Sequence, residues 1–133
     1  MTRLIAMAAA AGLLAACATA QTADAASSAP GDGANCDVTM IFGSYAMGID
    51  GETFAKAEAY LKRRTDLVAK VDSTSWGREG ERTLCIDART DKATRKVFTD
   101  LRAMTPTTAR RGPVTIKSRL GQGFQSKPPK RMG

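Results

Sequence analysis

Hydrophobic and polar positions divide the chain into an unpatterned beginning and a regular remainder. Leu4 to Ala16 is an unbroken run of small and apolar residues, LIAMAAAAGLLAA. A bilayer-spanning helix needs roughly 20 apolar residues, so this run is too short to span and suits a signal-peptide core. Residues 18–35, ATAQTADAASSAPGDGAN, carry no apolar period and read as a flexible tether; such a segment reaches roughly 20–25 Å.

From Cys36 onward the pattern becomes regular. Val38-Thr39-Met40-Ile41-Phe42 is a short apolar run of strand-favouring side chains. Gly43 to Gly48 is a loop, and Asp50 caps a helix from about Gly51 to Arg64. On that helix Phe54, Ala57 and Leu61 share one face, while Glu58 and Lys62 stand at ion-pairing spacing on the outer surface. Leu67 to Trp76 and Glu81 to Ala88 are strands joined by the turn Gly77-Arg78-Glu79-Gly80. Thr90 or Asp91 opens a second helix whose buried stripe is Thr94, Val97, Phe98, Leu101 and Met104, and Pro106 limits its end. Val114-Thr115-Ile116 makes a fourth strand, and Gly121 to Gly133 reads as frayed.

The order β-α-β-β-α-β predicts an α+β domain of the split βαβ, or ferredoxin-like, arrangement. Right-handed crossovers place both helices on one face of an antiparallel sheet ordered 4-1-3-2 and leave the other face open. The main rival is the three-stranded α+β sandwich of the peptidoglycan-binding OmpA-like domains. The ligand-loop pattern of that family, TDxxGxxxxNxxLSxxRA, has no counterpart in this sequence. The expected organisation is a signal peptide over residues 1–16, a lipid-anchored flexible linker over 17–35, one α+β domain over 36–119 and a basic disordered tail over 120–133.

The apolar run ends in Leu14-Ala15-Ala16-Cys17, which resembles the lipobox of bacterial lipoproteins. The resemblance covers residues 1–17 and all four lipobox positions. It implies that the Cys17 thiol receives a diacylglyceryl group, that cleavage falls just before it, and that its amine is usually acylated. Several chains on one residue exceed the marginal membrane binding of a single chain. In Gram-negative lipoproteins an aspartate directly after the cysteine favours retention in the inner membrane. Ala18 and Thr19 lack that signal, so the resemblance implies an outer-membrane anchor with the domain in the periplasm. The other reading of the same residues is ordinary secretion, with cleavage after Ala20 or near Ala25, which would remove Cys17.

With Cys17 lipidated, Cys36 and Cys85 remain, and an even number in an oxidising envelope predicts one disulfide. Closing a loop of about fifty residues contributes roughly 3–4 kcal/mol by the chain-entropy estimate. Strand parity objects: Cys85 alternates with Leu84 and Ile86, whereas Cys36 has the parity of core-facing Val38. The objection lifts where Cys36 lies just before the regular strand.

Charge is uneven. The net charge is +7, yet Asp100 is the last carboxylate, and eight basic residues follow it: Arg102, Arg110, Arg111, Lys117, Arg119, Lys127, Lys130 and Arg131. This stretch suits either a solvated tail or contact with anionic lipid, polymer or acidic protein. Trp76, beside Gly77-Arg78 at a hairpin end, is either a core residue or an exposed partner anchor. Trp76, Arg78, Arg110, Arg111, Lys130 and Arg131 are the candidate partner-contact residues. The aromatic stacking pattern of RNA-recognition modules is absent, and export removes nucleic acid as a partner.

The chain contains no histidine, which removes histidine-based triads and histidine general bases. Without histidine or paired CxxC spacing, no metal site is expected, and no cofactor either. Gly43-Ser-Tyr-Ala-Met-Gly48 has the glycine spacing of a phosphate-binding loop, but Ile49-Asp50 stand where Lys and Ser/Thr are required. Asp50, Glu52, Asp87 and Asp91 lie at element ends, where helix capping accounts for them. Glu79 and Glu81 flank a solvated turn. No catalytic residue is assigned. The expected function is a non-enzymatic binding or accessory module of the bacterial envelope, contacting an envelope protein or an anionic envelope polymer. The alternatives are a small carboxylate-dependent cell-wall hydrolase and an inhibitor of a secreted enzyme.

Overall fold

The computed structural model describes residues 35–131. The element order is β1 (Val38–Phe42), α1 (Gly51–Arg63), β2 (Val68–Trp76), β3 (Glu81–Ala88), α2 (Asp91–Met104), β4 (Val114–Ser118) and β5 (Gly123–Gln125). The strands form one antiparallel sheet in the order β2-β3-β1-β4-β5. The fold class is therefore α+β: a five-stranded antiparallel sheet with two helices.

Burial explains the central place of β1. Its Val38, Met40 and Phe42 are fully buried, opposite Ile86, Leu84 and Arg82 of β3 and Ser118, Ile116 and Val114 of β4. Ala57, Tyr60 and Leu61 of α1 and Val97, Phe98 and Leu101 of α2 pack onto this same face. A T-shaped contact between Phe42 and Phe54, centroids 5.2 Å apart, closes one end of the core. Each buried aliphatic or aromatic side chain contributes roughly 1.5–3 kcal/mol relative to exposure. The helices hold their positions through local caps. Asp50 accepts from Thr53 N at the start of α1, and Thr90 Oγ1 accepts from Ala93 N at the start of α2.

The structure departs from the sequence expectations in two places. The segment read as a disordered tail contains β5, which pairs with β4 through Thr115 opposite Gln125 and Ile116 opposite Phe124. Beyond it, buried Ser126 accepts a hydrogen bond from Val114 N through its Oγ at 2.9 Å, and Lys127 pairs with the Thr107–Ala109 backbone. Three residues are too few to show a period, and only the free edge of β4 makes them a strand. Second, Glu58 and Lys62 do not form the expected ion pair on an outer face. They line a hollow of about 250 Å³ with Leu61, Val71 and Ser73, between α1 and β2. The i,i+4 pair on α1 is instead Glu52 with Lys56, at 2.7 Å.

Cys36 and Cys85 lie at disulfide geometry, with Cα atoms 5.3 Å apart. Cys85 stands opposite Thr39 on the sheet face away from the helices. Cys36 reaches the same face because it precedes Val38, where regular pairing begins. Asp37 makes the intervening turn, its carboxylate accepting from Ala88 N at 2.7 Å. Strand parity does not bind a residue outside the strand.

Candidate functional site

At the end of the sheet where β1 and β2 finish and β3 and β4 begin, three loops come together: 43–50, 77–80 and 105–113. Backbone bonds continue the β1–β4 pairing into these loops. Gly43 N donates to Pro113 O at 2.9 Å, and Tyr45 N donates to Arg111 O at 3.2 Å. The approach is so close that a Cβ on Gly112 would lie 1.9 Å from Gly43 O, which only glycine avoids. The hairpin tip joins the cluster at Gly48, where a Cβ would stand 3.7 Å from Glu79 O.

The 43–50 loop is internally braced. Ser44 Oγ accepts from both Ala46 N and Gly48 N at 3.0 Å. Between those bonds Ala46 adopts φ 99°, a region that non-glycine residues enter at a cost of order 1–3 kcal/mol. The result is a fixed outward display: Tyr45 is 47% exposed and Met47 76% exposed on either side of the strained alanine. These are the large apolar residues whose exposure the structure singles out at this end.

Beside this display lies an open cleft of about 300 Å³, lined by Ile49, Asp50, Gly51, Glu52, Arg110 and Arg111. Its carboxylates are already committed. Asp50 is buried and spends both oxygens on Thr53, accepting from its backbone N and, at 2.7 Å, from its hydroxyl. Glu52 is exposed and ion-pairs with Lys56 and Arg110. The Lys56 hydrogen bond first, and then the Arg110 charge, hold its carboxyl below the usual range. Arg111 and Arg78 have no acidic partner within ion-pair distance among the described residues.

The sequence-derived candidates separate by position. Arg110 and Arg111 line the cleft, and Arg78 stands on the hairpin turn at the same end of the sheet. Trp76 finishes β2 half-buried and outside the core cluster, its indole N–H donating to Thr83 Oγ1 at 3.0 Å. Lys130 and Arg131 are exposed beyond the Lys127 bridge. Cys17 lies outside the described residues. Tyr45, Met47 and Ile49 were not singled out from the sequence. The available signal was three apolar side chains set among glycines and belonging to no periodic element.

The remaining acids are distributed rather than convergent. Asp91 sits in the first turn of α2 and pairs with Arg119, which also pairs with Asp37. Asp87 is on β3 opposite Lys70, and Glu81 folds over the hairpin to accept from Glu79 N. Among the described residues no group of three His, Cys, Asp or Glu is placed to hold a metal ion, and no helix is long and apolar enough to cross a membrane.

No family profile, curated protein or solved structure matches this chain.

Proposed function

We propose that this chain is a small non-enzymatic binding module of the bacterial envelope, lipid-anchored at Cys17, that grips an acidic envelope protein with its loop end. The observation that carries the reading is the braced display of exposed Tyr45 and Met47 at the end of the sheet that also holds Arg78 and Arg111, neither ion-paired among the described residues. Exposed aromatic, methionine and arginine side chains are the types that dominate partner contacts. Backbone strain held in place by two hydrogen bonds is spent where a surface must keep one shape. The commitment of Asp50 to capping and of Glu52 to ion pairs favours binding over carboxylate hydrolysis.

Support for the export part of the reading is the lipobox-like Leu14 to Cys17 and a disulfide compatible with an oxidising compartment. We read the architecture as a ferredoxin-like unit extended by one edge strand; the strand order β2-β3-β1-β4 within the larger sheet supports this.

A photo-crosslinking residue placed at Met47 in cells tests the binding surface, with Lys92 on α2 as the control position. The expected result is one dominant envelope protein captured from position 47 and not from 92. Arg111→Glu should reduce that capture about tenfold, the loss of one charge-assisted contact. Equal capture from both positions, or only lipid and polymer adducts, overturns the assignment. The anchor is tested separately: Cys17→Ser should abolish fatty-acid labelling, and labelling that persists refutes it.

A further inference from the structure

β2 is an unusual edge. It is nine residues long, and from Ala69 to Ser75 every residue is exposed, on both faces of the sheet. Among the described residues its outer side has no neighbouring strand, so alternate backbone N–H and C=O groups there lack a ladder partner within this sheet. Of the devices that usually guard such an edge, β2 has the Lys70–Asp72 pair and a bulge between Val68 and Lys70. β2 contains no proline, and its helix-side positions Val71, Ser73 and Ser75 carry no charge. α1 does not roof this edge: Val71 is 37% exposed and Leu61, Val71 and Ser73 border the open hollow. A second strand therefore has room to enter.

We propose that two copies of this chain associate by antiparallel pairing of their β2 edges about a two-fold axis at Val71. The argument is charge order. A two-fold axis perpendicular to the sheet reverses the strand and keeps the faces matched. Centring it on Lys70 sets lysine against lysine, and centring it on Asp72 sets aspartate against aspartate. Centring it on Ser73 leaves both charges without an opposite. Only the Val71 centre sets Lys70 of each copy across from Asp72 of the other, and Val71 across from Val71. Today these two charges satisfy each other along one strand, at 2.8 Å. Directly opposed cross-strand pairs are the stronger arrangement for a sheet.

The flank repeats the pattern. Glu58 and Lys62 border the same hollow one helical turn apart, so the two-fold that reverses β2 also reverses the order of this acid and base between the two copies. The β2–β3 register shifts between Val68 and Lys70, so the regular stretch open to a second copy is short and the association is concentration-dependent. Strand reversal sends the two loop ends in opposite directions, leaving both free to bind.

The test uses the full chain. Val71→Cys, oxidised with copper phenanthroline, should give a covalently linked dimer, whereas Ser73→Cys should give far less because it faces Ala69. Two differently tagged chains co-expressed in one cell report the charges. Lys70→Asp alone or Asp72→Lys alone should reduce self-capture about tenfold, while a Lys70→Asp chain should capture an Asp72→Lys chain as well as wild type captures itself. Within each single variant the intrachain pair stays like-charged, so only pairing between copies explains that rescue. Failure of Val71→Cys to cross-link, stronger linking at Ser73→Cys, or wild-type self-capture by both single variants overturns the proposal. These outcomes do not depend on what the loop end binds.

Discussion

Residue-scale effects concentrate at Ala46 and Asp100. Ala46 holds φ 99° between two hydrogen bonds to Ser44 Oγ. Glycine bears that conformation without steric penalty, so Ala46→Gly should raise stability by about 1 kcal/mol in denaturant melts. Asp100 lies where α2 meets α1, accepting from Tyr60 Oη at 2.7 Å and pairing with Lys96 and Arg64. Burial pushes its carboxyl up, but Lys96, Tyr60 and Arg64 outweigh that and hold it below the ordinary aspartate value. A lowered folded value means that its stabilisation is fully present above about pH 4 and disappears as pH falls through the folded value. Asp100→Asn should cost about 1 kcal/mol at neutral pH and flatten the loss of stability below about pH 4. An unchanged acid limb in pH-dependent melts would contradict this assignment. Burial, followed by the Asp100 bond, pushes the Tyr60 phenol up, so it stays protonated across the same range.

Among elements, β5 and the segment after it show what a short strand does. Ser126 Oγ accepts from Val114 N, Ser126 N donates to Val114 O, and Arg102 stacks over Phe124 at 5.5 Å. Ser126→Ala removes the hydroxyl acceptor of a buried N–H and should destabilise by about 1–2 kcal/mol, measured as a shift in the denaturation midpoint. The helices were legible because their signals are local: Asp50 and Thr90 cap within three residues, and the α2 stripe from Thr94 to Leu101 recurs at helical spacing. β3 was legible from Glu81 to Ala88 because Leu84 and Ile86 alternate with polar positions between turn and helix signals. β5 was not, because Gly123-Phe124-Gln125 has no pattern of its own. Hydrogen bonding to a neighbouring strand creates it.

For the whole molecule, the disulfide ties the entry of the chain to the middle of the sheet, 49 residues on. Replacing Cys36 and Cys85 together with serine should cost about 3–4 kcal/mol, and denaturation with and without reductant measures it. Retained stability in the reduced protein would show that the core suffices alone. The basic C-terminal quarter, which composition presents as one charged tail, is dispersed by the fold. Arg102 covers Phe124, Arg110 pairs with Glu52, and Arg119 reaches Asp37 and Asp91. Among the described residues Arg111, at the loop end, and Arg78, on the hairpin, have no such partner. The anionic contact expected of a continuous tail therefore becomes, in our reading, a feature of one end of the sheet.

The sequence alone determined the helices, the four longer strands and the hairpin, and it predicted a bridge between Cys36 and Cys85. Each rests on contacts within a few residues, on the period of a helix or strand, or on the parity of cysteines left over. Tertiary structure alone decided that β5 exists, that Glu58 and Lys62 face a hollow beside β2, and that Tyr45, Met47, Arg78 and Arg111 share one end. Those placements depend on which loops the sheet order brings together, and nothing in local periodicity encodes the distance between residues 45, 78 and 111. Chain neighbours select the elements; the sheet selects the neighbours of the loops.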